Sequence, residues 1–290
     1  MKIDAHNHAD WHGHNLEKFL DNMDACGIDR TWLLTWIAPR DEYAPSYNMV
    51  VPPGEDGPLP FSRSLAYVSA APERFVLGYA PDPRRPEAID QLQAAIEIYG
   101  VQVYGELKLR MTYDNPDALR MFRFCGEHGL PVIVHIDYEF ETGARYPRPN
   151  WWYGGGIEAF ERAVRACPDT AFIGHAPGFW SHISADGKHI EAMYPTGAVV
   201  AGGRVVEMLR AYPNLYADLS ARSARNALDR DLGHARKFVL EFQDRLLYAR
   251  DGFGTELDEL LDELSLPDAA LEKIHAGNAQ RLLRAGSSLS

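Results

Sequence analysis

Apolar positions along this chain follow two alternating patterns. Short unbroken runs of apolar, β-branched and aromatic residues recur, and between them apolar residues return every three or four positions. The first pattern predicts strands buried on both faces, the second amphipathic helices. Lys2–Ala5 opens as a strand, and Leu16, Phe19, Leu20 and Met23 then mark a helix that Gly27 stops. Thr31–Ile37 predicts the second strand, Phe61–Ala71 a helix and Phe75–Tyr79 the third strand. Pro86–Tyr99 reads as a helix with Pro in its first turn and Gly100 past its end. Val101–Leu109, Pro131–Ile136, Ala171–Gly174, Leu215–Leu219 and Leu246–Ala249 supply strands four to eight, each followed by a helical stretch, the last reaching about Arg284.

Eight strands alternating with helices predict a parallel sheet, and at 290 residues an α/β fold of the (β/α)8 TIM-barrel kind. The competing open, doubly wound sheet needs a Gly-rich phosphate loop after its first strand, and this chain has none there. Long aperiodic stretches rich in Pro, Gly and aromatics follow strands two, five and six, at Ala38–Pro60, Asp137–Gly156 and about His175–Gly197. No linker or shift of composition divides residues 1–290, so one domain is expected.

Charge narrows the partners. Acidic residues outnumber basic ones 41 to 29, a net −12, which argues against nucleic acid and anionic membrane. No apolar run approaches the ~18 residues of a membrane span, and the N-terminus lacks a signal-peptide core. A small-molecule substrate remains the expected partner. Cys26, Cys125 and Cys167 show no Cys-x-x-Cys spacing and read as free thiols in a reducing compartment, so the cytoplasm is expected.

In a barrel the chemistry gathers at the C-terminal ends of the strands. His6 and His8 stand two residues apart at the end of strand one, where they share a face and make half of a divalent metal site. On strand four Glu106, Lys108 and Arg110 share a face. Strands five to eight end in or near His135, His175, Asp218 and Asp251. Taken singly, such a His is usually a satisfied polar residue and such an Asp a helix cap. Five together at one barrel mouth are poorly explained that way. Imidazoles and carboxylates suit zinc or manganese. Loop residues Trp151, Trp152, Tyr153, Phe179 and Trp180 predict an aromatic-walled pocket, in which Arg145, Arg148, Lys108 and Arg110 would bind a carboxylate. The alternative for those aromatics is an interface between copies in a homo-oligomer.

With His6-x-His8, His135, His175 and Asp251 in place, the chain resembles the amidohydrolase superfamily. Asp4-Ala5-His6-Asn7-His8, the segment from Asn214 to Ser220 and Gly277–Leu282 resemble its amidohydrolase-related branch of hydrolases, lactonases and non-oxidative decarboxylases. The likeness spans residue 2 to about 284. It implies a metal held by His6, His8, His135 and Asp251, with Asp251 also the general base. His175 would be a second-metal ligand or an acid that orients the substrate. Glu106, or Lys108 after carboxylation, would bridge a second ion; the branch commonly uses one, and one is expected here. Arg250 departs from the pattern, since the family usually places a small residue before the strand-eight Asp. The expected function is a metal-dependent hydrolase cleaving a C–O or C–N bond of a small polar or carboxylated substrate through metal-bound hydroxide. The alternative is a metal-dependent decarboxylase or hydratase of a small organic acid. Asp4 reads as structural, and Trp152 and Trp180 as substrate contacts beside Lys108, Arg110 and Arg145.

Overall fold

The computed structural model describes residues 1–43, 56–137 and 153–287, with side chains through 283. Its first unit is β1 (Ile3–His8), α1 (Leu16–Ala25), β2 (Arg30–Leu34), α2 (Phe61–Ala70) and β3 (Phe75–Leu77). There follow α3 (Ala88–Tyr99), β4 (Tyr104–Leu107), α4 (Pro116–Glu127), β5 (Val132–His135) and α5 (Gly156–Ala166). The remainder runs β6 (Phe172–His175), α6 (Pro177–Trp180), α7 (Arg204–Ala211), β7 (Leu215–Asp218), α8 (Ala221–Asp229), α9 (Leu232–Phe242), β8 (Leu246–Leu247), α10 (Glu256–Glu263), α11 (Asp268–Glu272) and α12 (Asn278–Ser287). Every strand expected from the apolar runs is present, most of them shorter than the run. Among the described residues no helix is long and apolar enough to cross a membrane. Cys125 and Cys167 are buried free thiols and Cys26 is a half-buried one.

All strand pairs are parallel, in the orders β1-β2-β3 and β4-β5-β6-β7-β8. Backbone hydrogen bonds span both gaps between these sheets and close a (β/α)8 barrel. Tyr79 N donates to Val103 O and Gln102 N to Leu77 O, each at 3.0 Å, between β3 and β4. Ala5 N donates to Tyr248 O at 2.9 Å and Asp251 N to His6 O at 2.8 Å, between β8 and β1.

One residue in two from the strands fills the barrel interior: Ile3, Ala5, Trp32, Leu34, Val76, Val103, Ile133, Ile173, Leu247 and Ala249 form one buried cluster. The two-residue period then carries the chemistry up to the mouth. Ile133 leads to His135, Ile173 to His175, Tyr216 to Asp218, and Ala249 to Asp251. Two strands break that period. The pairing register slips between Asp4 and Asn7 in β1 and between Tyr104 and Leu107 in β4. Each slip changes which residues face inward, and it delivers His6, His8 and Glu106 to the same mouth.

The stretch after β6 is not the open loop expected. Pro177–Trp180 forms a short helix buried along its whole length. Gly174 in β6 allows this close approach, because a Cβ there would lie 2.5 Å from the Phe179 ring. Trp180 is fully buried and donates its indole N–H to Asp218 O at 3.1 Å, so it packs the frame around the end of β7.

Candidate active site

Four imidazoles converge on one carboxylate. The Glu106 carboxylate oxygens lie 2.6 Å from His135 Nδ1, 3.6 Å from both His8 Nε2 and His175 Nε2, and 4.0 Å from His6 Nε2. Asp251 approaches from β8, with Oδ1 3.4 Å from His8 Nε2 and Oδ2 3.9 Å from His175 Nε2. All six groups are buried except Asp251, whose side chain keeps 18% of its surface exposed and so opens the cluster to the exterior.

A second layer fixes which nitrogen of each ring faces inward. Asp218, fully buried at the end of β7, holds His6 Nδ1 at 2.8 Å with one oxygen and His175 Nδ1 at 3.0 Å with the other. Ser220 Oγ donates to that second oxygen at 2.7 Å. His8 Nδ1 lies 3.1 Å from Leu34 O. With Nδ1–H committed outward, the Nε2 atoms of His6, His8 and His175 point into the cluster, the tautomer a metal ligand needs.

The electrostatics follow from this packing. Burial alone would depress His175, but Asp218, Glu106 and Asp251 outweigh it and raise the ring to about 9. His135 goes the other way, to about 4, through burial and the nearby Lys108 ammonium. Burial opposes ionisation of Asp218 and Glu106, yet His175 and His6 hold Asp218, and His135 and Lys108 hold Glu106, far below the usual carboxylate range. Asp251 is lowered against its burial by His8, His6 and His175.

Two buried atoms in this cluster, His6 Nε2 and Asp251 Oδ1, have no hydrogen-bond partner among the described residues. A buried lone pair left unmatched is costly, and a cation between them removes the cost. The donor set fits a divalent metal in two trios whose donor atoms lie within 4.8 Å of one another, His6–His8–Asp251 and Glu106–His135–His175, with a third, His6–His175–Asp218, formed by the outer carboxylate.

A model of the family described as Amidohydrolase matches residues 3–285. The chain belongs to that amidohydrolase family. Comparison with curated proteins finds no match. Among solved structures, an uncharacterised TIM-barrel protein from Bordetella bronchiseptica aligns with a TM-score of 0.60 at 20% identity, over 94% of this chain and 84% of its own. A dihydroxybenzoic acid decarboxylase from Polaromonas sp. JS666, solved with manganese and the inhibitor 2-nitroresorcinol, aligns at 0.60 with 18% identity over 98% and 96%. A Pseudomonas putida protein provisionally named a 2-pyrone-4,6-dicarboxylic acid hydrolase aligns at 0.59 with 13% identity over 98% and 97%. At such identities these likenesses establish the barrel fold of this amidohydrolase.

The structure brings His6, His8, Glu106, His135, His175 and Asp251 together. Lys108 is buried beside them, with Nζ 4.3 Å from the Trp36 ring centre and 5.5 Å from that of Tyr153. Glu106, not Lys108, therefore occupies the space among the imidazoles. Arg110 is half-buried farther along, its backbone N–H donating to Glu42 at 2.9 Å. Arg145 and Trp152 lie outside the described residues. Sequence reasoning weighed Asp218 only as a strand-end acid and missed Ser220 altogether; a carboxylate one step above an interior residue of the seventh strand was the available signal for the former. Arg250 is explained. Its backbone N–H and Nε both donate to the buried Asp4 carboxylate at 2.9 Å, and Nη1 donates to Asn22 at 2.9 Å, so the guanidinium points away from the cluster.

Proposed function

We propose that the chain is a metal-dependent hydrolase acting at a C–O or C–N bond of a small carboxylated substrate. The observation that carries this reading is the pair of unmatched buried atoms, His6 Nε2 and Asp251 Oδ1, beside the only partly exposed acid of the cluster. Zinc or manganese, when bound, would supply a Lewis acid and lower the pKa of an adjacent water. His6, His8, His135 and Asp251 would hold it, with Glu106 among them. Asp251, lowered by its imidazole neighbours, would accept a proton at its carboxylate oxygen. His175, which Asp218 orients through Nδ1 at 3.0 Å, would be the acid that delivers a proton from Nε2 to a leaving atom. Water stays out of the interior because the layer below is apolar.

A second reading, non-oxidative decarboxylation of a small organic acid, is favoured by the fold likeness to the manganese-bound dihydroxybenzoic acid decarboxylase. In that reaction His175 would protonate carbon. A panel of lactones, amides and aromatic acids separates the two: ring-opened or cleaved products are expected, and carbon dioxide release would replace hydrolysis with decarboxylation. Elemental analysis of protein purified without added metal should find zinc or manganese, and stoichiometry in Glu106→Gln against wild type counts the ions. Asp251→Asn should abolish turnover while the protein stays folded. Retention of most of the wild-type kcat would remove Asp251 from the proton-transfer role.

A further inference from the structure

A cavity of about 470 Å³ opens beside Asp251, bounded by the start of α8, the residues after β8 and the turn carrying His12. Its volume suits a small organic molecule. Leu219, Ala249, Phe253 and Leu257 give it an apolar side. Three arginines also line it, and two are already engaged. Arg225 Nε donates to Asp229 at 2.6 Å and its Nη1 to the Glu256 carbonyl, and Arg250 is bound to Asp4. Arg222 differs. It is exposed, and among the described residues no carboxylate ion-pairs with it, including Glu256 of the same cavity.

What Arg222 has is a ring. Its guanidinium carbon sits 4.5 Å from the centre of Tyr194. Tyr194 is itself held, because the segment around it is tied to α8 and the residue beyond. Asn226 donates to Pro195 O and Arg230 Nε to Gly197 O, each at 2.9 Å, and Arg230 also pairs with Asp186. A guanidinium stacked on a fixed aromatic face has lost rotamer freedom beforehand, while its N–H fork remains available. We infer that Arg222 selects the substrate of this site: it grips a carboxylate on a small acid with a ring-sized apolar body, which the cavity holds beside Asp251. The inference rests on reading that cavity as the active site. It adds the start of α8 to Lys108, Arg110 and Arg145 as groups proposed for acid recognition.

Benzoate and benzamide, which share a ring and differ in charge, are the probes, followed by ligand-observed NMR titration of the metal-loaded protein. Benzoate should bind at least about tenfold tighter, the worth of a charge-assisted hydrogen-bond pair over a neutral one. Arg222→Gln should erase that preference and leave benzamide unchanged, and Arg222→Lys should restore part of it. Equal binding of the two probes to wild type, no benzoate binding, or an unaltered preference in Arg222→Gln each overturns the assignment. Because Arg222 is exposed, the variant is expected to fold, and the wild-type comparison needs no variant at all. Chelator-treated wild type separates this failure from failure of the proposed function. A preference that survives chelation and disappears in Arg222→Gln places the carboxylate on Arg222. One that disappears on chelation but survives Arg222→Gln places it on the metal, which overturns the assignment and leaves the metalloenzyme reading standing. Protein that never retains metal yet keeps the Arg222-dependent preference sinks only the proposed function.

Discussion

Asp218 carries two imidazoles on one side chain, and no other residue in the cluster has that position. Replacing it with Asn keeps the shape but supplies an NH2 where one ring N–H must be accepted. Asp218→Asn should therefore weaken metal binding about 10- to 100-fold, as loss of an outer acceptor typically does, in a competition titration against a chromophoric chelator. Its role was only half legible. A lone Asp at a strand end has the same sequence signature as a helix cap, and Asp218 does accept a backbone N–H, from Ser220 at 3.3 Å. Only the simultaneous approach of His6 and His175, from strands far apart in sequence, distinguishes the two uses. Away from the cluster, the His182 and His189 rings lie tilted at 37° to each other with centres 4.1 Å apart. Burial, His189 and Arg204 depress the His182 pKa to about 4 from an ordinary 6.5. The unfolded chain thus takes up a proton before the folded one, so this contribution to stability is complete above pH 6.5 and lost as the pH falls toward 4. Melting temperatures at pH 7 and pH 5 should differ less in His182→Gln than in wild type.

Among the elements, the strands were the most legible because burial on both faces writes them as unbroken apolar runs. Strict alternation would have placed Asp4, His6 and His8 on one face. The register slip in β1 separates them, sending Asp4 to Arg250 and the histidines to the mouth. Such a slip has no signature in a six-residue strand, yet the sequence reading already put His6 and His8 on one face and set Asp4 apart as structural, the arrangement its bond to Arg250 shows. The aromatic loop residues misled in a different way. Phe179 and Trp180 follow Pro-Gly, a combination equally suited to a surface turn or to a tight helix folded inward, and β6 has room for the helix because of Gly174. Gly174→Ala should cost about 1–3 kcal/mol in chemical denaturation, since the new methyl group meets a ring locked in the core. A variant as stable as wild type would mean that α6 yields easily and is a poor support for His175.

At the scale of the whole barrel, Arg250 and Asp4 form a buried ion pair across the junction of the last strand and the first, with side chains 3% and 0% exposed. Removing one partner leaves the other charged and unpaired in the interior. Arg250→Ala should destabilise by about 3–5 kcal/mol, and the double change Asp4→Leu with Arg250→Met by much less than the single losses combined. Additive losses in urea unfolding would show that the two act separately. That junction carries the two backbone bonds described above, and its counterpart beside β4 carries two as well as a further pair through Thr35, whose N–H donates to Gly105 O at 3.1 Å and whose carbonyl accepts from Glu106 N at 2.8 Å. Three strands lie on one side of these seams and five on the other, and the proposed ligands are shared between them: His6 and His8 come from the smaller part, Glu106, His135, His175 and Asp251 from the larger. Neither part owns a whole coordination sphere. A bound ion would then be a rivet through both, and the effort of prising the barrel open along its seams would be counted in the same currency as the affinity of the metal.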